Sequence, residues 1–296
     1  KKPEIIISRN LYASYILGCC FRNKIVYETH TPENGFRGIL QKKLLNSSFV
    51  KTIVISYALK NILIKTHNLD MHNKIKVLHD SARDGIKLID INEKTLLREK
   101  LFSKKNIKLN NLNCICGYFG HLYEGRGIDI IIETAKITSD HYFIIFGGND
   151  DQIEYFKRKH NCENIIFAGF IKPKDVNAYM QIMDILLMPY QDRVSIGLSG
   201  IDTSKWMSPM KLFEYMSSGT PLVSSDLPVL KEVLEHSKNC LLVNPSKPQE
   251  WSDAISLYNN DHHLYEKVRL NAFREYQEKY TWDVRVKKII SFAKFG

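Results

Sequence analysis

The sequence predicts an α/β protein of two parallel-sheet domains with a cleft between them. Short apolar runs alternate strictly with amphipathic stretches, which implies parallel strands with helices on their faces. The alternation runs in two series, parted by polar sequence from Asp80 to Asn111. A length of 296 residues is too great for one average domain and suits two.

In the first series, Ile5–Ser8 reads as a strand, Leu11–Phe21 as a helix, and Ile25–Tyr27 as a strand ending in Glu28-Thr-His30-Thr-Pro32. Arg37–Leu45 is a basic amphipathic helix, Thr52–Ile55 a strand, Ala58–Lys65 a helix and Ile75–Leu78 a strand. The stretch from Asp80, ending in Lys104-Lys-Asn-Ile-Lys-Leu-Asn-Asn111, reads as a linker. The expected domains are therefore 1–105 and 106–280. The second series opens with strand Asn113–Phe119, helix Ile128–Ile137 and strand Tyr142–Phe146. Gly147-Gly-Asn-Asp-Asp151 is a turn before helix Ile153–His160. Strands follow at Ile165–Ala168, Ile185–Met188, Leu222–Ser225 and Cys240–Val243, and helices at Asp175–Met183, Pro209–Ser218, Val229–Leu234 and Pro248–Tyr258. Two long polar helices close the chain. Ligands in such sheets lie beyond the carboxyl ends of the strands, which singles out the loops Gly120–Gly127, Gly147–Asp151, Gly169–Lys174 and Tyr190–Ser208.

A formal net charge of +10 favours phosphorylated ligands, an anionic membrane surface or nucleic acid, against the ordinary alternative of a Lys-rich solvated surface. The chain has no aromatic-and-basic RNA-binding module and no zinc-finger spacing, so nucleic acid is not an expected partner. No apolar run approaches the length needed to span a bilayer. Lys1-Lys-Pro-Glu4 runs straight into the strand-like Ile5–Ile7 without a signal peptide, an abrupt start that suits a piece of a longer chain. Cys19, Cys20, Cys114, Cys116, Cys162 and Cys240 lack metal-ligand spacing, and a chain this size needs no disulfides. Reduced core thiols in a cytoplasmic protein are expected.

The chain is organised around Ser208-Pro-Met-Lys-Leu-Phe-Glu-Tyr-Met-Ser-Ser-Gly219-Thr-Pro221. Ser208 suits an N-cap and Pro209 the first helical position, while Gly219 and Pro221 suit the helix end. Leu212, Phe213 and Met216 form an apolar stripe, and Lys211 and Glu214, three apart, share another face. A cation in the first turn opposes the helix dipole, by up to roughly 1 kcal/mol. It makes sense if an anion sits at that helix end. Glu214, one turn deeper, would then accept hydroxyls attached to the anion, which describes a nucleoside diphosphate and its ribose. The same spacing equally describes a solvated Lys–Glu pair on an ordinary amphipathic helix.

Several motifs together resemble a known family. Gly117-Tyr-Phe-Gly-His-Leu-Tyr-Glu-Gly-Arg-Gly127-Ile-Asp is similar to the strand–loop–helix opening the C-terminal domain of retaining glycosyltransferases of family 4. Phe167-Ala-Gly169-Phe-Ile, Asp184-Ile-Leu-Leu-Met-Pro189 and Lys211–Pro221 follow in the family's order and spacing. Val77-Leu-His-Asp80 resembles the end of its N-terminal domain, and Tyr280-Thr-Trp282 the lead-in to its last helix. The match is close from about Asn113 to Trp282 and looser before. The chain departs from the family in three places. Trp206 stands where the family's two-glutamate motif has its first Glu, and Asp202–Pro209 (Asp-Thr-Ser-Lys-Trp-Met-Ser-Pro) is nearer to one subgroup. His121 stands where the family usually has Arg. The strands and glycine-bearing loop that normally precede anything like Ile5–Ser8 are absent, so the acceptor-side domain is expected to be incomplete.

The resemblance implies the GT-B fold, with two Rossmann-like domains and a closing helix at 281–296 that packs back on the first. It implies transfer of a sugar from a nucleoside-diphosphate sugar to a saccharide or lipid-linked saccharide acceptor, in cell-surface glycan synthesis. Negative charge grows on the departing diphosphate, and fixed cations aimed at it are the main catalytic lever. Arg126, between Gly125 and Gly127 where the backbone can approach a ligand closely, would clamp the phosphates with Lys211 and the helix tip after Ser208. The implied donor site comprises Gly120, His121, Arg126, Gly169, Phe170, Ile171, Ser208, Met210, Lys211, Leu212 and Glu214. Phe170 either stacks on the base or fills the core. His30, from a Glu-x-His like the family's, is the candidate beside sugar and acceptor. The chain contains no Asp-x-Asp, and two cations with a helix end can replace Mg²⁺. No metal and no cofactor beyond the nucleotide sugar are therefore expected. The absence of an obvious nucleophilic carboxylate suits front-face retention. A dehydrogenase is set aside, because the full Gly-x-Gly-x-x-Gly is missing and Gly147 follows Phe146 where an acid would be needed. A non-catalytic nucleotide-sugar-binding subunit remains the main alternative. An epimerase of the same fold would need cleft carboxylates that the sequence does not identify. Finally, Arg37, Lys42 and Lys43 with Phe36, Ile39 and Leu40 suit an anionic membrane as well as they suit any domain surface.

Overall fold

A computed structural model describes residues 5–69, 74–83, 86–109, 114–195 and 202–294. The calls on Lys1–Glu4, Asn110–Asn113 and residues 196–201 of the Tyr190–Ser208 loop lie outside the described residues. The chain divides into two units: residues 1–81, 205–209 and 280–296, and residues 82–204 and 210–279.

In the first unit, strands β1 (Ile6–Ser8), β2 (Ile25–Thr29), β3 (Val50–Val54) and β4 (Ile75–Val77) form a parallel sheet in the order β1-β2-β3-β4. Between them run helices α1 (Leu11–Tyr15), α2 (Gly35–Asn46) and α3 (Tyr57–His67). Side chains start two of them: Asn10 accepts the Ala13 amide at 2.9 Å and Ser56 the Leu59 amide at 3.0 Å. The expected single helix Leu11–Phe21 is α-helical only to Tyr15, and Ile16–Cys20 form a π-helical turn. At that turn Gly18 lies so near β3 that a Cβ would stand 2.7 Å from Val50 Cγ2. The final helix, Trp282–Ala293, belongs to this unit and buries Ile289 and Ala293 with Val26, Ile53 and Leu78. Lys51 donates to the carbonyls of Phe292 (3.0 Å) and Lys294 (2.6 Å), placing a cation on that helix's negative end.

In the second unit, strands β5 (Ile115–Phe119), β6 (Tyr142–Phe146), β7 (Ile165–Gly169), β8 (Ile185–Met188), β9 (Leu222–Ser225) and β10 (Leu241–Val243) are all parallel, in the order β10-β9-β8-β5-β6-β7. Its helices are α4 (Ile91–Lys104), α5 (Ile128–Ile137), α6 (Asp150–Lys159), α7 (Val176–Gln181), α8 (Met210–Ser218), α9 (Pro248–Asn260) and α10 (His262–Lys279). This is the doubly wound order of a dinucleotide-type sheet. The winding reverses between β5 and β8, so a crevice opens beyond their carboxyl ends.

Two expectations are corrected here. The segment 80–111 is not simply a linker: it contains α4, started by a reciprocal capping box between Asp90 and Glu93. The units part after residue 81, so α4 belongs to the second, where Lys94 and Arg98 both reach Asp184, at 2.8 and 2.6 Å. Its period was hard to read because Ile91 and Leu96 are exposed while Leu101 and Phe102 are the buried pair. Likewise, the expected helix Val229–Leu234 shrinks to a 3₁₀ turn, Leu230–Glu232.

Candidate functional site

Helix α8 positions the site. Leu212, Phe213, Tyr215 and Met216 are buried, which turns Lys211 and Glu214 to the less buried face. Gly219, with φ +69°, ends the helix in the left-handed conformation, and Leu88 fills the space a Cβ would take. The expected start differs. The helix begins at Met210, and the Ser208 hydroxyl accepts the Asp80 amide at 3.0 Å within the first unit.

At the switch point of the second sheet lies a cavity of about 550 Å³. It is lined by the loop after β5 (Gly120, His121), the turn after β6 (Gly147–Asn149), the segment after β7 (Phe170, Ile171) and, from α8, Lys211 and Glu214. Three loops and one helix, far apart in sequence, thus converge on one opening. Phe119 and Phe146 stack in its wall with centroids 4.6 Å apart. Phe170 is 68% exposed, which removes the core alternative and leaves its ring at the rim. Lys105 holds that segment by donating to the carbonyls of Ala168 (3.0 Å) and Phe170 (2.7 Å). His121 stacks on Tyr123 at 4.8 Å.

The remaining candidates do not line this cavity. Leu212 is in the core, Met210 is 48% exposed, and Gly169 ends β7, its carbonyl accepting the Gly147 amide at 2.8 Å. Ser208 and His30 belong to the first unit. Arg126 stands behind Tyr190: Nη1 donates to the phenol oxygen at 2.7 Å, and Nε is buried without a partner among the described residues. The role expected of Gly125 and Gly127 is corrected. A Cβ at either would collide with the carbonyl of Arg193 or Pro189, so the close approach is to the protein's own backbone. The Gly125 carbonyl accepts the Gln191 amide at 3.0 Å, which locks the Arg126 loop to the segment after β8.

The electrostatics are unusual for a helix start. Burial pushes the Lys211 ammonium well below its ordinary pKa, and Arg126 adds to this while Glu214 opposes it. Burial raises the Glu214 carboxyl, partly offset by Lys211. Lys211 lies over the Tyr118 ring, 3.9 Å from its centroid, rather than on a carboxylate.

In the first unit, both ring nitrogens of His30 are engaged: Nδ1 with Arg9 at 2.9 Å and Nε2 with Glu28 at 2.8 Å. A guanidinium only donates, so Nδ1 accepts and Nε2–H donates to Glu28. Burial alone would raise the Glu28 carboxyl, but His30 and Arg285 outweigh it and bring the pKa down to about 2. Arg285, buried on the final helix, reaches Glu28 at 3.2 Å and the His79 carbonyl at 2.9 Å. The sequence reading missed Arg285, Asn149, Tyr118 and Tyr190. The capping-box spacing Asn149-x-x-Gln152 could have drawn attention to Asn149, while nothing local marks the other three.

Residues 113–261, just over half of the chain, match the family described as glycosyl transferases group 1. The chain is 22% identical over 254 residues to the uncharacterized glycosyltransferase MJ1607 of Methanocaldococcus jannaschii, covering 83% of this chain and 60% of that protein. It is 26% identical over 249 residues to the O-antigen chain mannosyltransferase RfbU of Salmonella typhimurium, covering 84% and 60%. The chain therefore spans 60% of the length of each of these relatives. Among solved structures, Anabaena Alr3699/HepE in complex with UDP aligns with a TM-score of 0.76 at 19% identity, covering 97% of this chain and 77% of that one. WaaG, a glycosyltransferase involved in lipopolysaccharide biosynthesis, aligns at 0.66 and 12% identity, covering 96% and 82%. These likenesses show the fold, two parallel-sheet units of GT-B type. By the match across its second unit, the chain belongs to the glycosyl transferases group 1 family.

Proposed function

We propose that the second unit binds a nucleoside-diphosphate sugar and that the protein of which this chain is all or part transfers the sugar to a saccharide or lipid-linked saccharide in cell-surface glycan synthesis. The observation that carries this reading is the pairing of Lys211 and Glu214 in one cavity at the switch point of the sheet. An ammonium with no ion pair among the described residues suits the diphosphate, and a raised carboxyl one turn deeper suits ribose hydroxyls. Phe170, Ile171 and the Phe119–Phe146 wall offer apolar surface to the base. The relatives support the substrate class: HepE was solved with UDP and with UDP-glucose, and RfbU is named for an O-antigen chain.

In the proposed reaction the anomeric C–O bond to the diphosphate breaks and a bond to the acceptor oxygen forms on the same face. The acceptor proton passes to the departing phosphate. Lys211 and Arg126 stabilise the charge that grows there, a role that on this reading needs no divalent metal and no further cofactor. His30 is the proposed acceptor-side residue, and membership of family 4 and of the Asp202–Pro209 subgroup belongs to the same proposal. No described helix is long and apolar enough to cross a membrane, and we place the protein in the cytoplasm at the inner membrane face. A second reading is a nucleotide-sugar-binding subunit without turnover, which the same Lys211–Glu214 cavity would serve.

Calorimetry with UDP, GDP and ADP, together with donor hydrolysis and transfer assays, tests both readings. Lys211→Ala and Arg126→Ala should each lower turnover by about 10²–10³ with the fold intact. Full activity and affinity in either variant would sink the clamp. Nucleotide binding by the unaltered chain with no hydrolysis or transfer to any acceptor would favour the binding subunit.

A further inference from the structure

Buried cations ordinarily sit against carboxylates. Among the described residues, neither Lys211 nor Arg126 makes an ion pair: both stand against tyrosines. The Lys211 ammonium is 3.9 Å from the Tyr118 ring centroid and 5.4 Å from that of Tyr190. The Arg126 guanidinium carbon is 5.1 Å from the Tyr190 centroid, and Nη1 donates to its phenol oxygen at 2.7 Å. Both tyrosines are fixed. Tyr118 and Tyr190 are 1% and 2% exposed, and the Tyr118 hydroxyl donates to the His121 carbonyl at 2.7 Å.

We propose that Tyr118 and Tyr190 are positioning residues of the anion site, an aromatic frame that holds Lys211 and Arg126 in place while leaving their charge for the incoming diphosphate. The proposal rests on the nucleoside-diphosphate reading of the cavity and adds to it which side chains keep the clamp open. Ring faces attract a cation without neutralising it. A carboxylate in the same place would compete with the ligand. Around Lys211 stand Tyr118 on β5, Arg126 before α5, Tyr190 after β8 and Glu214 on α8.

The test is calorimetry with UDP on the whole chain, with melting curves to confirm folding. Tyr190→Phe keeps the ring but removes the acceptor of the Arg126 hydrogen bond, and should weaken UDP about tenfold, with Tyr190→Leu weaker still. Tyr118→Leu, which removes the ring face beneath Lys211, should bind UDP about tenfold more weakly. UDP binding that is unchanged in Tyr190→Phe and Tyr118→Leu overturns the frame alone. No binding of any nucleoside diphosphate by the unaltered chain overturns the reading of the cavity, and the frame with it. If the leucine variants fail to fold, Tyr190→Phe still decides.

Discussion

The Lys211 ammonium occupies the space that a side chain at Gly120 would need. A Cβ there would lie 2.5 Å from Nζ and 2.9 Å from Cε, and Gly120 has φ +148°. The two residues are far apart in sequence and meet because β5 ends and α8 begins at the switch point. Gly120→Ala should therefore displace Lys211 and strain the backbone, at a cost of about 1–3 kcal/mol. Nucleotide affinity should fall at least tenfold, and the melting temperature by several degrees. Unchanged affinity by calorimetry would separate Gly120 from the cation.

Glu214→Gln should weaken nucleotide binding by roughly 1.5–3 kcal/mol, the range for hydrogen bonds to a charged group. The free protein should respond the other way. Burial raises the folded Glu214 pKa, so the ionised group disfavours the folded state increasingly as pH rises above its unfolded value. Urea unfolding at pH 7 should find the variant at least as stable as the parent. Equal nucleotide affinity would return Glu214 to the role of a helix-surface residue.

Glu28 has the opposite sign. Its folded pKa of about 2 lies below the ordinary 4.5, so its contribution is present above pH 4.5 and is lost as pH falls toward 2. The shift corresponds to about 3 kcal/mol, as an order of magnitude. Glu28→Gln also strands the buried Arg285, so the loss at pH 7 should be at least of that size. Urea titrations at pH 7 and pH 3 should show the gap between parent and variant narrowing in acid. A gap independent of pH would show that ionisation of Glu28 is not what matters.

The membrane surface proposed on α2 is narrower than the sequence suggests. Leu40 is buried and Arg37 pairs with Glu33, while Phe36 and Ile39 are 69% and 56% exposed and Lys42 and Lys43 are exposed. Co-sedimentation with vesicles containing anionic lipid should decrease as salt rises and should fall further in Phe36→Ser/Ile39→Ser. Binding indifferent to lipid charge and to salt would remove this surface.

The strands and most helices were legible because their signals are local. Apolar runs such as Tyr142–Phe146 and Ile185–Met188 are buried on both faces, and α5 and α8 carry their stripes within ten residues. Helix α4 was not legible, because its exposed Ile91 and Leu96 break the period and its anchor, Asp184, is some 90 residues away. At the site, the sequence by itself determined that Lys211 and Glu214 share a helix face, since three residues is nearly one turn. Only the tertiary structure decided what surrounds them. It placed Tyr118 and Tyr190 around Lys211, gave the Arg126 loop to Pro189 and Arg193, and turned Ser208 to Asp80. Each of these contacts joins segments well separated in sequence. Strand order is set by packing of the whole sheet, and no local pattern of residues encodes it.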